Sequence, residues 1–498
     1  MDKNHSNWFD LNQMANDVIA VKFKPGTKKS RQDKLLKDAG CQPLRKRIGF
    51  ADTHILVLSI DPQSKVWAND AIKQLNKTKQ VNRALRVFEN SFGYSFASDR
   101  LVVRTDGPIR EFGPQFKKYG CRLFKRKSEL GSVRLLANED SQSVFEELKK
   151  CDWVKDIYPD FVTVQTQHSS YTEIGSRIPA WIDSNAPWNH HLRSIKAYEP
   201  WGVGYIGKPN IRIAIIDSGV DTQHSDLSPS ILETYDAVDE DTYQEPGYGN
   251  HHGTAVAGVA AGISPDGNGI QGIGGGCSII SIQIAGSAPD RGENYYNVSP
   301  VPLAIRLAWD FYKADVICLS FALHSYCNDV HKEILYALGY GRNGAGTIIV
   351  AAAGNNGGPV LFPGDLPEII TVSATNQNDE FKTWNSSDGE NWASSFGPEV
   401  DIAAPGVQIP SAVNTMQDQY MLKEYGYFSG TSLAAPMVAG MAGLILSINP
   451  ELDRPIVQTI IRESADKIGN ASDYQDGRND YVGYGRINLA EAVKLAGS

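Results

Sequence analysis

The 498-residue sequence is short of cysteine and also lacks obvious long apolar runs. Its six cysteines are scattered, without the close pairs of a metal site or the density of a disulfide framework, so we interpret them as mostly free thiols. We see no apolar run that approaches the roughly 18 residues of a membrane span, and we expect no membrane partner. The N-terminus lacks a basic start, an apolar segment and a cleavage site. With this N-terminus we expect a cytoplasmic protein, or a secreted one if a signal peptide was removed.

Neither charge nor low complexity dominates the composition. Hydrophobic residues make up 41% and charged residues 21% of the chain, which excludes the disordered and fibrous classes. At about 100 to 200 residues per domain, this length indicates about three globular domains.

Charge is unevenly divided along the chain. Residues 1–170 contain 30 Lys and Arg against 20 Asp and Glu, a net charge of +10. The remainder carries −19, since the total is −9. Opposite net charges speed and orient docking, which fits two parts of one chain that bind each other. Nucleic-acid binding by the basic part is the alternative. We expect none, because its lysines are spread over predicted helices without an aromatic-rich or glycine-rich motif.

The stretch GTSLAAPMVAG, from Gly430 to Gly440, predicts a buried helix with a serine in its first turn. The residues after Ser432 are apolar and mostly small, as a central core helix requires. The first backbone N–H groups of a helix have no intrahelical partner, so they can stabilise the oxyanion that forms when a hydroxyl attacks a carbonyl. The same pattern also fits an ordinary N-cap serine.

Two other motifs offer the groups that such a serine would need. Asp217 follows the apolar run 211–216 in IAIIDSGVDTQHSDL, and His252 precedes an alanine-rich helix in HHGTAVAGVAAG. An alcohol is a weak nucleophile near neutral pH, so it needs an imidazole to accept its proton and a carboxylate to fix the imidazole's tautomer. Taken singly, a turn aspartate and a surface or core histidine are the ordinary explanations. Three such contexts in one chain favour catalysis.

A fourth motif, VAAAGNNGGP, presents Asn355 in a glycine-rich turn after the apolar run 347–352. Its side-chain amide is of the kind that completes an oxyanion hole. A strand-ending Gly-Asn turn is the alternative explanation of this motif.

The four motifs resemble those of the subtilisin-like serine peptidases, the subtilase family, over roughly residues 187–498. Carried over by position, the resemblance implies a triad of Asp217, His252 and Ser432, with Asn355 as the oxyanion donor. It implies a serine endopeptidase that acts on peptide or protein substrates through an acyl-enzyme, is made as a self-inhibited precursor and requires no cofactor. A transpeptidase or macrocyclase on the same triad, and a locked regulatory interaction protein, are the alternatives.

The resemblance also implies that a substrate strand pairs beside two segments of the chain. These segments hold the predicted substrate-binding residues Ser320, Phe321, Ala322 and Gly354. Phe321 and Ala322 replace a Leu-Gly pair that is usual in the family, and Leu361 stands where glycine is frequent. Both changes would narrow the first side-chain pocket, so we expect a small residue before the cleaved bond.

Calcium is the ion that the resemblance suggests as a structural ligand. Asp226, Asp266 and Asn268 stand where family members often bind it, and hard oxygen ligands suit calcium. The loop 236–245 is also acidic, and we interpret it either as a solvated loop or as a contact for basic groups of the substrate or of the N-terminal region.

The first third of the chain contains a repeat. Residues 1–96 and 97–166 both fit the order strand, helix, two strands, helix, strand, which is the ferredoxin-like βαββαβ pattern. Inhibitory pro-domains of subtilisin-like enzymes have this fold, so we predict two pro-domain-like modules that bind intramolecularly, the second as the inhibitor. Residues 167–186 are polar and contain prolines, and they predict a linker with the maturation site. Residues 187–498 form the predicted peptidase domain.

The predicted fold is therefore α/β, with a mostly parallel, doubly wound sheet of subtilisin type preceded by two α+β ferredoxin-like modules. Apolar strand patterns alternate with helical ones, which implies a parallel sheet covered on both faces. Active residues should then lie at the carboxyl ends of strands. We predict strands at 211–216, 278–284, 315–321, 347–352 and 369–373, and helices near 252–262, 301–313, 328–343 and 432–447.

Overall fold

The structure is a computed structural model. The structure describes residues 14–497 except 24–26, 51–52, 61–67, 80, 91–92, 106–108, 120, 124–131, 138–140, 166–171, 176–188, 245, 247–249, 265–268, 288–293, 324–325 and 416–423. The described strands are β1 (Met14–Phe23), β2 (Cys41–Phe50), β3 (Thr53–Ile60), β4 (Val81–Asn90), β5 (Gly93–Thr105), β6 (Cys121–Leu123), β7 (Ser132–Ala137), β8 (Val154–Gln165), β9 (Thr172–Gly175), β10 (Arg212–Asp217), β11 (Ile231–Asp236), β12 (Ser278–Gln283), β13 (Ala285–Ser287), β14 (Asn294–Asn297), β15 (Val316–Leu319), β16 (Ile348–Ala352), β17 (Ile370–Thr375), β18 (Val400–Pro405), β19 (Ile409–Ala412) and β20 (Tyr425–Phe428). The described α-helices are α1 (Lys29–Asp38), α2 (Ala68–Asn76), α3 (Ile109–Lys118), α4 (Ser141–Leu148), α5 (His190–Ser194), α6 (Tyr198–Gly202), α7 (His252–Ala261), α8 (Val301–Arg306), α9 (Asn328–Tyr340), α10 (Thr431–Ile448), α11 (Arg454–Glu463) and α12 (Leu489–Ala496).

The chain divides into two compact units. The first unit contains residues 1–166 and 288–303, and the second contains 167–287 and 304–498. The first unit thus includes a short segment from within the predicted peptidase domain, which the sequence pattern did not indicate.

The first unit is built on an antiparallel sheet. One copy of the repeat has the strand order β4-β1-β3-β2, and the other has β8-β5-β7-β6, so both copies have the same topology. Helices α1 and α2 pack on the first copy through a small core that includes Val21, Leu36 and Leu75. Strand β14 adds to this sheet beside β8, with Tyr296 opposite Thr163.

The predicted boundary at residues 96 and 97 differs from the structure, because both residues lie inside β5. The polar pair Ser98-Asp99 looks like a break in the sequence, but the strand continues through a register shift between Ala97 and Leu101. The start of β5 pairs with β4, the last strand of the first copy. The two copies therefore share one sheet and meet at a hairpin instead of a linker.

The second unit contains a sheet of seven parallel strands in the order β11-β12-β10-β15-β16-β17-β18. The prediction of a mostly parallel sheet is confirmed, and the five predicted strands match β10, β12, β15, β16 and β17 to within two residues at each end. Two outer strands, β11 and β18, were not predicted. Strand β11 is partly exposed and β18 contains Asp401 and ends in Pro405, so neither has a continuous apolar run.

The four predicted helices correspond to α7, α8, α9 and α10. The predicted helix 301–313 is divided, because α8 ends at Arg306 and a π-helical turn follows at Leu307–Phe311. The predicted linker also contains structure: β9 pairs antiparallel with β20. The remainder of 167–186 lies outside the described residues, and so does most of the predicted maturation region.

Helix α10 forms the centre of the second unit, and all its residues through Ser447 are buried. At its crossing with α7, a side chain at Gly440 would place a Cβ 2.5 Å from the Ala260 carbonyl oxygen, so glycine is required there. Truncating a core leucine such as Leu444 to alanine would cost about 2–5 kcal/mol of stability. This packing holds the beginnings of α7 and α10 in a fixed relation.

The expectation that no apolar run reaches membrane-spanning length is wrong for α10. Among the described residues, this helix is the one that is long and apolar enough to cross a membrane. The prediction missed it because Pro436, Gly440 and Gly443 interrupt the larger apolar side chains. Since 94% of the segment is buried inside the protein, its hydrophobicity is explained by its place in the core.

Candidate active site

Three of the predicted site residues follow neighbouring parallel strands. Asp217 is the last residue of β10, Ser320 comes directly after β15, and Asn355 lies three residues after β16. These strands are adjacent in the order β10-β15-β16. Because the carboxyl ends of parallel strands meet at one edge of a sheet, the three residues are brought to the same edge.

Asp217 and His252 form a buried hydrogen-bonded pair. His252 Nδ1 lies 2.7 Å from Asp217 Oδ1, and the Ser218 backbone N–H donates to the same oxygen at 2.7 Å. Asp217 has no exposed surface and His252 is buried. A carboxylate at this place favours the tautomer in which Nδ1 carries the proton. Nε2 is then the acceptor nitrogen, and it has no hydrogen-bond partner among the described residues.

Ser432 is the second residue of α10 and is buried. Its Oγ donates to the Ser320 carbonyl oxygen at 3.2 Å, and Ser320 Oγ donates to the Ser432 carbonyl oxygen at 3.1 Å. The Ser432 hydroxyl is therefore directed towards Ser320 and is not hydrogen-bonded to His252 Nε2 in this structure. Rotation of the serine side chain would be needed to bring the hydroxyl to the imidazole, and catalytic hydrogen bonds are often loose before substrate binds.

Asn355 is held by Thr431, the first residue of α10. Its Oδ1 accepts hydrogen bonds from the backbone N–H and the Oγ1 of Thr431, each at 2.8 Å. These bonds fix the orientation of the amide and make Nδ2 its donor end. Gly430 has φ +145°, and a Cβ there would lie 3.1 Å from Asn355 Nδ2, so glycine suits this position for two reasons. Sequence reasoning missed Thr431, although this residue lies within the GTS motif.

The four predicted substrate-binding residues, Ser320, Phe321, Ala322 and Gly354, are all buried. Ser320, Phe321 and Ala322 follow β15 in sequence, and the backbone N–H of Leu323 donates to Phe362 O at 2.8 Å. This bond joins the segment to the neighbour of Leu361.

The Gly354 backbone is already used inside the protein. Its N–H donates to Thr431 Oγ1 at 3.0 Å, and its carbonyl accepts from the Ser395 N–H at 2.7 Å. A substrate strand thus finds no free N–H at Gly354, which stays a predicted lining residue.

Asp226, one of the three predicted calcium ligands, is hydrogen-bonded to other residues of the protein. Asp226 Oδ2 accepts from the Ile270 N–H and from the Tyr425 hydroxyl, each at 2.9 Å. Burial raises the pKa of Asp226. The other two candidates, Asp266 and Asn268, lie outside the described residues, and the described residues contain no group of three metal-ligating side chains. The described surroundings of Asp226 thus hold it by protein donors.

The acidic residues of the loop 236–245 differ in exposure, and Asp239 and Asp241 are exposed. Asp236 is buried, and its Oδ1 accepts from the backbone N–H groups of Val238 at 2.7 Å and Asp239 at 3.1 Å. Burial raises the pKa of Asp236 to about 6, and the charges of Asp239 and Asp241 act in the same direction. Asp236 is thus part of the fold, whereas Glu245 lies outside the described residues.

Known proteins resemble this chain over more than half of its length. A model of the subtilase family (peptidase S8) matches residues 208–485. A thermophilic serine proteinase of Bacillus sp. (strain AK1) is 35% identical over 291 residues, which is 58% of this chain and 62% of that protein. Thermitase of Thermoactinomyces vulgaris is 31% identical over 303 residues, covering 61% of this chain and 94% of thermitase. The chain spans less than two thirds of the first relative and nearly all of the second.

A solved structure agrees in fold. The crystal structure of fervidolysin from Fervidobacterium pennivorans, titled a keratinolytic enzyme related to subtilisin, matches with a TM-score of 0.60. The match covers 80% of this chain and 61% of that chain at 23% sequence identity. At that identity the match shows a common fold.

Proposed function

The chain belongs to the subtilase family of serine endopeptidases, and from this premise we propose that it hydrolyses peptide bonds through an acyl-enzyme on Ser432 and is made as a self-inhibited precursor. The observation that carries the hydrolytic part is the buried 2.7 Å hydrogen bond between His252 Nδ1 and Asp217 Oδ1. It orients an imidazole whose Nε2 is left as an acceptor. Peptide and protein chains are the proposed substrates.

The reaction begins with attack of Ser432 Oγ on the substrate carbonyl carbon. The hydroxyl proton passes to His252 Nε2, and Asp217 stabilises the imidazolium that forms. Asn355 Nδ2 and the backbone N–H groups at the start of α10 stabilise the oxyanion. The imidazolium then protonates the leaving amine, and water resolves the acyl-enzyme by the same steps. If an amine resolved it, the product would be a new peptide bond, and the mass of the product distinguishes these two outcomes.

Wild-type protein and Ser432→Ala should be purified side by side, and their N-termini sequenced. We expect the wild type to cleave a reporter peptide and its own chain within 167–186, and Ser432→Ala to remain intact. A Ser432→Ala chain that is cleaved and active like the wild type would refute the proposal.

Self-inhibition is supported by a segment of the predicted peptidase domain that lies in the first unit. Strand β14 belongs to the region matched by the family model, yet it lies in the first unit beside β8, with Tyr295 opposite Val164 and Asn297 opposite Val162. Asp160, also in β8 and buried, accepts from the Ser299 N–H at 3.2 Å and from Ser299 Oγ at 3.0 Å. The second module thus binds a piece of the peptidase sequence by strand addition and by a carboxylate.

Asp160→Ala should weaken the binding of the segment around Ser299 to the second module. We expect faster peptide hydrolysis by the intact chain, since two hydrogen bonds to Ser299 are lost. Asp152→Ala is the matched control, because it removes an exposed aspartate from the same module. Equal rates in both variants would count against inhibition through β8.

Three finer expectations also stand as proposals. We propose preference for a small residue before the cleaved bond, which a peptide library showing cleavage mainly after large aromatic residues would refute. Calcium as a structural ion would be refuted by a melting temperature that chelation leaves unchanged. The location, cytoplasmic or secreted after removal of a signal, requires cell fractionation.

A further inference from the structure

Lys382 is a fully buried lysine in the second unit, outside the residues described for the active site. Its ammonium donates to the carbonyl oxygens of Thr383 and Glu390, each at 3.0 Å, and lies 3.1 Å from Asp388 Oδ1. An ammonium has three N–H donors, so these three acceptors satisfy it. The face of the Trp392 ring, 5.1 Å from Nζ to the centroid, covers the charge. A lysine is almost never fully buried without such partners.

All of these partners come from one short loop. Residues 383–392 turn around the ammonium. Without its positive charge, the two carbonyl groups and the carboxylate that face it would repel one another. Asp388 Oδ1 also accepts from the Glu390 N–H at 3.0 Å, so the loop is held on both sides of the carboxylate. The ammonium group of Lys382 thus lies at the centre of the loop, which closes around it.

The loop contacts the turn that carries the nucleophile. Glu390 Oε1 accepts from Ser429 Oγ at 2.7 Å, and Glu390 Oε2 accepts from Trp392 Nε1 at 2.6 Å. Ser429 stands three residues before Ser432 and has no exposed surface. Its Oγ also accepts from the Gln408 N–H at 2.8 Å. The carboxylate of the loop is therefore tied to the segment that leads into α10.

The far end of the loop contacts the turn that carries Asn355. The Ser395 N–H donates to Gly354 O at 2.7 Å, and the Gly357 N–H donates to Ala393 O at 3.0 Å. These two bonds flank Asn355 on both sides in sequence. The loop, extended to Ser395, is thus bonded to the nucleophile turn through Glu390 and to the oxyanion turn through Ala393 and Ser395.

We propose that Lys382 is a positioning residue, an internal cation that fixes the separation of Ser432 and Asn355 through the loop 383–395. This inference rests on the proposed peptidase function. Oxyanion stabilisation requires the donor to lie at the right place when charge develops, so a small displacement lowers the rate of the chemical step. Loss of the cation should therefore lower kcat and leave KM nearly unchanged.

The first test is Lys382→Met in the full chain, with Lys332→Met as the matched control. Lys332 also lies over an aromatic ring, 5.5 Å from the centroid of Tyr336, but it belongs to α9. We expect kcat to fall about 10- to 100-fold in Lys382→Met, with KM within about twofold, and to stay at the wild-type value in Lys332→Met. A folded Lys382→Met with wild-type kcat overturns the proposal.

The second test is chemical rescue. Lys382→Ala keeps the two carbonyl oxygens and the Asp388 carboxylate, so added methylammonium ion should enter the space and restore part of kcat. Tetramethylammonium at the same ionic strength has the same charge but no N–H group to donate, so it should restore none. Equal restoration by both ions would show a general salt effect and would overturn the assignment of a specific cation site.

Two further measurements test the positioning role if a lysine variant fails to fold or the wild type shows no hydrolysis. Ser429→Ala leaves the ammonium and its partners in place and removes the link to the nucleophile turn. It should lower kcat, while its melting temperature should fall less than that of the Lys382 variants. A wild-type kcat in Ser429→Ala would overturn the proposal. Hydrogen exchange at 354–358 and 429–433 needs no activity: we expect faster exchange in both segments of Ser429→Ala than in Lys332→Met. A wild type that stays inactive after its linker is cut within 169–177 refutes the peptidase function, whereas unchanged exchange refutes the positioning role.

Discussion

The two units bury their apolar residues in different ways. The first unit has an antiparallel sheet, and the core that packs on its first copy is small. The second has seven parallel strands and one large core that surrounds α10. Residues 1–170 carry a net charge of +10 and the remainder −19. Parallel strands bring functional groups to one edge, whereas an antiparallel sheet offers its edge strands for pairing. We therefore expect chemistry in the second unit and recognition by strand pairing in the first.

The largest effect should come from removing the nucleophile of the second unit. We expect Ser432→Ala or His252→Ala to lower kcat until it is only about 10³- to 10⁴-fold above the uncatalysed rate, and the double variant to lose little more. Ser447→Ala, at the other end of the same buried helix, is the matched control and should keep its kcat. Steady-state hydrolysis of a peptide measures all four proteins. Full activity in Ser432→Ala would break the assignment of chemistry to α10.

A smaller loss should follow from removing the oxyanion donor. Asn355→Ala should lower kcat about 10²- to 10³-fold, since Nδ2 would no longer meet the developing charge. Thr431→Val should cost less, because the backbone N–H of Thr431 still holds the Asn355 side chain. A kcat within a few fold of the wild type for Asn355→Ala would show that the oxyanion is stabilised elsewhere.

The first unit should affect regulation and leave the chemistry unchanged. The structure moves the useful deletion point from residue 96 to the hairpin before Gly93, because a cut at 96 would divide β5. Removing residues 1–92 should leave inhibition largely intact and weaken its control, whereas a cut engineered within 169–177 should permit release. Release should be easier in salt, since exposed charges are screened over about 10 Å at 0.1 M. An intact chain that is fully active and uncleaved would assign the modules to recognition instead.

The smallest effect concerns pH and the buried acid of the second unit. Asp236 has a pKa of about 6 in the fold, above its ordinary value, because burial disfavours the charge. Its contribution to stability is therefore complete below pH 4 and is lost as the pH rises towards 6. Asp236→Asn should remove this loss, so its urea midpoint should fall less than that of the wild type between pH 4 and pH 6.5. The exposed neighbour Asp239→Asn is the control, and parallel curves for all three proteins would contradict the expectation.

The sequence predicts those parts of the fold that one continuous pattern determines. Strands β10 and β16 are apolar runs, and the polar residues after them mark the edge of the sheet where Asp217 and Asn355 lie. Strands β9 and β14 have no such pattern, since their pairing depends on partners far along the chain. The predicted boundary at 96 failed for a related reason: a polar pair inside a strand resembles a turn until the neighbouring strands are known.

The site shows the same division between local pattern and distant contact. The motifs around Asp217, His252 and Ser432 indicate the reacting groups, because each motif is contiguous. The direction of the Ser432 hydroxyl towards Ser320 could not be predicted, since the two residues are 112 positions apart. The same holds for Glu390 and Ser429, which are 39 positions apart. Contacts of this kind depend on how the strands and helices pack.

The hairpin that joins the two copies in the first unit has a mechanical consequence. Three described residue pairs hold β4 to β5, and they lie next to the turn: Phe88 with Ser95, Glu89 with Tyr94, and Asn90 with Gly93. Pairs beside a turn are loaded one after another when their strands are pulled apart, so this joint should open at low force. The β5–β8 ladder has a longer register and should resist longer. A partner that pulls on the first copy would then detach it before the second copy, the proposed inhibitor, unfolds. Force spectroscopy would record this detachment as a weak event before the main rupture.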